Sequence, residues 1–127
     1  MKYLTKARIL TVHRQIVRET GEPEDILNEG SLELSVEAPK RVVFGEEIYV
    51  SLPEKAAALM HELCKLHPFV AANKRTAFAA TDVFMRLNRS RIRANTSEVV
   101  QISIETAICN HDVPFLAQWL SQNAEKF

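Results

Sequence analysis

The chain has 127 residues, of which 46% are hydrophobic and 25% charged, and its 16 Lys and Arg residues balance its 16 Asp and Glu residues. This length suits one domain with a proper hydrophobic core, so we expect a single domain over residues 1–127. The net charge of zero excludes a global attraction to nucleic acid, and any preference for phosphate must therefore be local.

The N-terminal residues have the composition of a helix rather than of a signal peptide. Cations interrupt the apolar positions of residues 1–15, so no continuous apolar stretch forms there. No part of the sequence reaches the length of a membrane span. The two cysteines, Cys64 and Cys109, lie among apolar residues in helical stretches, which predicts buried free thiols. Together these features predict a cytoplasmic protein.

Apolar residues recur at helical spacing from about Thr5 to Glu19, which predicts a first helix over that range. Gly21 and Pro23 interrupt the pattern that follows. Residues 20–30 are therefore expected to form a loop.

A short helix is expected around residues 32–36, and it should end before Pro39 because the residue before a proline disfavours the helical conformation. Residues 41–50 are ambiguous. Their apolar side chains around Gly45 fit either a small hairpin or a loop that these side chains hold in place.

The clearest helix start lies at Ser51, where Ser51 and Glu54 match a capping box. This helix should run to about Leu66, because Pro68 disfavours the helical conformation at His67. Its apolar spacing predicts the buried residues Ala56, Leu59, Met60 and Leu63.

A second long helix is predicted from Asn73 to Leu87, with Asn88 as its stop. The residues predicted to face inward are Ala77, Phe78, Thr81, Phe84 and Leu87.

Two further helices are predicted in the C-terminal third. Asn95 and Glu98 match a capping pattern for a helix that extends to about Cys109. Asp112 is expected to cap a last helix, in which Phe115, Trp119 and Leu120 pack back on the core. The whole chain is therefore predicted to be an all-α bundle whose two central helices are joined by a loop at residues 67–72.

The run from His67 to Thr76, HPFVAANKRT, places a histidine at a helix break, before a small-residue turn and a helix that opens on an amide and two cations. The turn leaves room for a bulky anion, and the helix start supplies unpaired N–H groups and the positive end of a dipole. Lys74 and Arg75 add full charges, and arginine can hold phosphate oxygens in a fork. His67 is the residue type best able to exchange a proton near neutral pH. The run therefore predicts phosphoryl or nucleotidyl transfer.

Each residue of this run also has an ordinary structural explanation. A histidine before a proline is usually a turn residue, and Lys-Arg in a first helical turn usually forms a solvated face. The helix dipole disfavours cations at that end, however, which indicates that an anion is expected there. The complete arrangement is far less frequent by chance than any one of its residues.

Other polar groups carry weaker signals. A helical zinc site would need a histidine four residues after His61, where Lys65 stands, and no further ligands follow at suitable spacing. Glu62 and Asp82 are expected to be solvent or packing charges. The cations expected to form a solvated helix end are Arg86, Arg89, Arg91 and Arg93. We expect only an ordinary structural role for His13, His61 and His111, because no other reactive group accompanies these histidines.

The run resembles the signature of the Fic/Doc superfamily, and its NKRT ending is similar to that of the Doc (death on curing) branch. Fic proteins carry glycine where Lys74 stands here, and a second arginine where Phe78 stands. The segments FGEEIY and PEKAAAL also resemble the region upstream of the signature in Doc-like proteins. The resemblance covers residues 31–90 well and implies a Fic/Doc-like helical fold.

The resemblance implies the toxin of a toxin–antitoxin pair. Doc proteins transfer the terminal phosphate of ATP to a threonine hydroxyl of translation elongation factor Tu and so arrest protein synthesis. By this resemblance His67 would accept the hydroxyl proton, while Lys74 and Arg75 would neutralise charge during transfer. The residues that would bind the triphosphate are Ala72, Asn73, Lys74, Arg75 and Thr76. The expected partners are a cognate antitoxin and the elongation factor, with no membrane and no direct nucleic-acid contact.

Ala71 departs from the family's pattern, which has an acidic residue at this position that holds a magnesium ion against the nucleotide phosphates. Alanine offers no side-chain oxygen to a hard cation. The chain is therefore expected to bind Mg²⁺ poorly and to transfer phosphate inefficiently. Two alternatives remain open: nucleotidyl transfer to a protein hydroxyl with the same histidine and cradle, and a non-catalytic module that binds an antitoxin or a target.

Overall fold

The computed structural model describes residues 1–107 and 110–127. Within these residues the helices are α1 (Lys6–Thr20), α2 (Glu29–Glu37), α3 (Leu52–Leu66), α4 (Asn73–Leu87), α5 (Thr96–Ala107) and α6 (Val113–Gln122). A 3₁₀ turn at Ala38–Lys40 follows α2. The short strands are β1 (Val42–Val43), β2 (Glu46–Glu47), β3 (Ser90–Ile92) and β4 (Ala124–Lys126). The prediction of an all-α architecture is confirmed.

Side-chain caps explain where several of these helices begin. The hydroxyl of Thr5 accepts a hydrogen bond from the backbone N–H of Arg8 at 3.1 Å, which starts α1 where predicted. Ser51 and Glu54 form the predicted reciprocal capping box at the start of α3. Asp112 caps α6 by accepting from the N–H of Phe115 at 2.9 Å. Because each cap satisfies an otherwise unpaired N–H group, these starts follow from the local sequence.

Helix α3 forms the centre of the bundle and contacts α2, α4, α5 and α6. The small residues at 56–58 are fully buried on it, so neighbouring helices can approach closely. The predicted core residues of α3 are buried, and on α4 Ala77, Thr81 and Phe84 are buried while Phe78 and Leu87 are partly buried. Each fully buried large apolar side chain contributes about 1.5–3 kcal/mol to the stability of the fold. The packing of α3 against α4 therefore stabilises the two helices that flank the motif loop.

Residues 41–50 form a hairpin, in which Val42 pairs with Glu47 and Val43 with Glu46. The alternative, a loop held by its apolar side chains, is wrong, because Phe44 is fully exposed at the turn. Charged contacts hold the base instead: the buried Lys55 donates to Glu47 at 3.2 Å. The other exposed apolar side chains of the hairpin region are Val42, Val43, Ile48 and Val50.

The last helix packs through a different residue from the one predicted. Leu116 and Leu120 are fully buried, one helical turn apart, whereas Phe115 is 43% exposed and stacks on the His111 ring. The inward face of α6 is therefore displaced by one residue from Phe115, and Trp119 lies at the edge of the core. Strands β3 and β4 pair beside this helix.

One of the two cysteines, Cys64, lies within the described residues. Cys64 is a buried free thiol, as predicted, and burial raises its pKa to about 11. A thiol with so high a pKa is a poor nucleophile, so Cys64 belongs to the core. Cys109, with the predicted end of α5, lies outside the described residues. None of the described helices is both long and apolar enough to cross a membrane.

Candidate active site

The loop between α3 and α4 bends sharply at both ends. His67 ends α3 with φ 46° and ψ 62°, and Ala72 precedes α4 with φ 65° and ψ 30°. Both residues are in the left-handed region, which costs a residue with a Cβ atom about 1–2 kcal/mol. Contacts from elsewhere in the chain must therefore hold the loop in this shape.

Backbone hydrogen bonds from the segment before α2 supply one set of these contacts. The N–H groups of Leu27 and Asn28 donate to the carbonyl of Pro68 at 2.8 and 3.1 Å. The N–H of Val70 donates to the carbonyl of Asp25 at 3.1 Å. The segment predicted only as a connecting loop thus fixes the first half of the motif loop.

Two side chains fix the second half. The amide of Asn73 accepts from the N–H of Phe69 and donates to its carbonyl, both at 2.9 Å. The buried His13 of α1 stacks on the Phe69 ring, with centroids 3.7 Å apart, and its Nε2 lies 2.9 Å from the carbonyl oxygen of Ala71. His13 is thus a buried structural residue that contacts the motif loop. No sequence signal links it to Ala71, because 58 residues separate the two.

A cavity of about 250 Å³ opens on the loop and brings most of the predicted site residues together. Its walls are His67, Val70, Ala71, Ala72, Asn73, Lys74 and Arg75. Thr76, which was predicted to bind phosphate, is not among them. Its side chain is fully buried and its N–H donates to the carbonyl of Ala72, so it belongs to the helix and not to the cavity.

The start of α4 has the free donors that an anion requires. Ala72 provides no side-chain cap, and the first helical bond of α4 runs from Thr76 to Ala72. Within the described residues, the backbone N–H groups at 72–75 donate to no protein acceptor. The side-chain oxygen of Asn73 and one hydrogen of its amide nitrogen are bound to Phe69, so the backbone N–H of Asn73 and the second amide hydrogen remain available to an anion.

The two cations of the site differ in their surroundings. Lys74 is exposed and has no ion pair within residues 1–107 and 110–127. Arg75 donates to both carboxylate oxygens of Glu22, at 2.7 and 2.8 Å. The pKa of Glu22 is lowered by hydrogen bonds, first from Thr20 and then from Arg75. Glu22 therefore occupies one nitrogen of the Arg75 guanidinium, a contact that sequence spacing could not reveal, while Nε and Nη1 remain available to a phosphate.

The donor set does not fit a magnesium ion. Among the described residues no carboxylate lines the cavity, and the carbonyl oxygen of Ala71 already accepts a hydrogen bond from His13. The described part of the chain has no group of three or more His, Cys, Asp and Glu side chains that could hold a metal. Mg²⁺ needs carboxylate or phosphate oxygens, and the protein supplies none here.

The remaining polar residues have structural contacts. Asp82 accepts from the N–H of Ile92 at 3.0 Å and pairs with Arg86, and Glu62 pairs with Arg41 at 3.2 Å. Arg91 and Arg93 both pair with Glu125. These contacts account for Arg86, Arg91 and Arg93, while Arg89 lines a separate pocket with Phe127.

A proton-exchanging side chain thus stands beside a helix start with free N–H groups, in a fold of packed helices. The model of the Fic/DOC family matches residues 3–85, and the chain belongs to this family. Over 87 residues it is 34% identical to a protein named Toxin Doc from Mycolicibacterium smegmatis (strain ATCC 700084 / mc(2)155). That alignment covers 65% of this chain and 67% of the relative. The predicted resemblance to the Doc branch is confirmed.

Proposed function

We propose that this protein is a Doc-like toxin that transfers the terminal phosphate of ATP to a threonine hydroxyl of elongation factor Tu. The observation that carries the proposal is the single cavity in which His67 stands beside Lys74 and the unpaired N–H groups of α4. The family membership supports a transferase, and the name of the relative supports a toxin. The predicted cytoplasmic location agrees with such a target.

The chemistry requires a base and a stabilised phosphate. The threonine oxygen attacks the terminal phosphorus, the bond from that phosphorus to ADP breaks, and the hydroxyl proton passes to His67. The N–H groups at 72–75 and Lys74 stabilise the charge that spreads over the phosphate oxygens. Arg75 joins them through the guanidinium nitrogens that Glu22 does not occupy. By resemblance to the Doc branch, Lys74 in the place of the glycine of Fic proteins favours phosphate transfer over nucleotidyl transfer.

The test is the mass of the modified target. Purified elongation factor Tu is incubated with ATP and this chain, and mass spectrometry should find a threonine that slowly gains one phosphate. A gain of nucleoside monophosphate would instead support the nucleotidyltransferase alternative. If neither the chain nor a variant with a carboxylate at position 71 modifies the factor, while nucleotide binding is unchanged by magnesium, the non-catalytic alternative is favoured.

We also propose that an amphipathic segment of a cognate antitoxin binds in a groove of about 590 Å³ next to the cavity. Lys74 and Arg75 belong to both, and the other walls are mainly apolar. The apolar and small residues of the groove are Ile16, Phe78, Ala79, Val99 and Val100. These walls lie on α1, α4 and α5.

A charge in this groove is expected to prevent binding of the antitoxin. Val100 lines the groove and is 40% exposed, so Val100→Asp should fold normally yet weaken the complex about 100-fold or more, because an unpaired charge would be buried. Leu34→Asp, on an exposed site of α2, is the matched control and should not weaken it. Co-purification with the product of the neighbouring gene measures the effect. Equal capture by both variants would contradict this placement.

A further inference from the structure

We infer that His13 is a positioning residue for the phosphate cradle, acting through the peptide group between Ala71 and Ala72. This inference rests on the proposed function, since it names the residue that aims one donor of the same site. His13 touches no reacting atom. Its effect depends on how the backbone of the motif loop is oriented.

The hydrogen bond defines the chemical state of the ring nitrogen. A carbonyl oxygen can only accept, so Nε2 of His13 carries a hydrogen and donates it to Ala71 at 2.9 Å. The ring is 2% exposed and lies parallel to Phe69, with 8° between the ring planes. Stacking and burial therefore fix the direction from which the donor approaches.

The planar peptide carries this direction to the cavity. The carbonyl of Ala71 and the N–H of Ala72 belong to one trans peptide group, in which they point in opposite directions. When His13 holds the carbonyl toward α1, the N–H of Ala72 points away from α1. Both residues line the cavity, and this N–H has no protein acceptor within the described residues.

The other anchors do not duplicate this function. Asn73 binds both polar backbone groups of Phe69, and the segment 25–28 binds Pro68 and Val70. Among the described residues, only His13 donates to the carbonyl of Ala71. Without that bond the peptide can rotate, which would turn the Ala72 donor out of the cradle and leave the left-handed conformation of Ala72 unsupported.

The test separates the hydrogen bond from the packing of the ring. His13→Phe keeps an aromatic ring on Phe69 but removes the donor, whereas the side-chain amide of His13→Gln can place an N–H near the position of Nε2. Isothermal titration with ATP and with inorganic phosphate, without magnesium, should show binding about tenfold weaker or more for the Phe variant. The Gln variant should recover most of the loss. Ser35→Ala, which removes a buried hydroxyl bonded to Ser31 on α2, controls for a general loss of stability.

A second measurement does not depend on any ligand. The amide resonance of Ala72 in a ¹⁵N-labelled sample should shift in His13→Phe and return toward its original position in His13→Gln. If it stays unchanged in the Phe variant, the inference is wrong whether or not phosphate binds. If it shifts as expected but the unmodified chain binds neither ATP nor phosphate, the proposed function fails and the positioning of the loop by His13 stands. Weakening in Ser35→Ala equal to that in His13→Phe would also overturn the inference.

Discussion

Ala71→Asp is expected to convert the chain into a magnesium-dependent transferase that is harmful to a bacterial host. Ala71 lines the cavity beside Lys74, so a carboxylate there would add the ligand type that the site lacks. Charge stabilisation of a few kcal/mol corresponds to a rate increase of about 100-fold or more. The N-terminal end of α4 also favours a negative charge, which limits the cost of the substitution.

The rate of phosphate incorporation into elongation factor Tu, with and without magnesium, measures this effect. Ala71→Asn is the matched control, because it has the same shape as aspartate but no charge, and it should remain near the rate of the unmodified chain. If the unmodified chain already reacts as fast as the Ala71→Asp variant, Ala71 is a tolerated variation and the interpretation of an impaired site is wrong.

His67→Ala, combined with Ala71→Asp, should abolish growth arrest. Loss of a general base typically lowers a rate about 10²- to 10⁴-fold. His67 is exposed and makes no hydrogen bond in the part of the chain that the structure describes, so its removal should leave the helices intact. Circular dichroism checks the fold, while growth and phosphate transfer report the function.

His61→Ala in the same Ala71→Asp background is the matched control. His61 also lies on α3, but it borders a different pocket, with His111 and Phe115. Burial lowers the pKa of His61, and because His61 does not line the cavity of the motif loop, its removal should leave growth arrest unchanged. Undiminished arrest in the His67 variant would remove His67 from the mechanism.

Local chemistry made much of the fold predictable. The bounds of α4 follow the prediction, because Pro68 precedes it and Asn88 ends it. The capping residues Ser51 and Asp112 likewise act only on their own helices. Phe115 was assigned to the core because a small change of rotation about a helix axis decides which of two adjacent apolar residues faces inward, and that rotation depends on the packing of the other helices.

The site was predictable where its residues are adjacent in sequence. His67, Lys74 and the helix start lie within a short run, so their meeting in one cavity follows from a turn between two helices. The contact of Glu22 with Arg75 spans 53 residues and that of His13 with Ala71 spans 58. Such contacts depend on how α1 docks on α4, which no single segment encodes.

The two left-handed residues of the motif loop, His67 and Ala72, have a consequence for how this protein unfolds. Besides Asn73, the contacts that hold this loop come from His13 and residues 25–28, in the N-terminal quarter of the chain. If α1 opens away from the bundle, the loop relaxes while the core around α3, α4 and α6 stays closed. Partial opening of this kind requires less free energy than global unfolding. On warming, the capacity to bind an anion is therefore lost before the helical content, and on refolding it returns last.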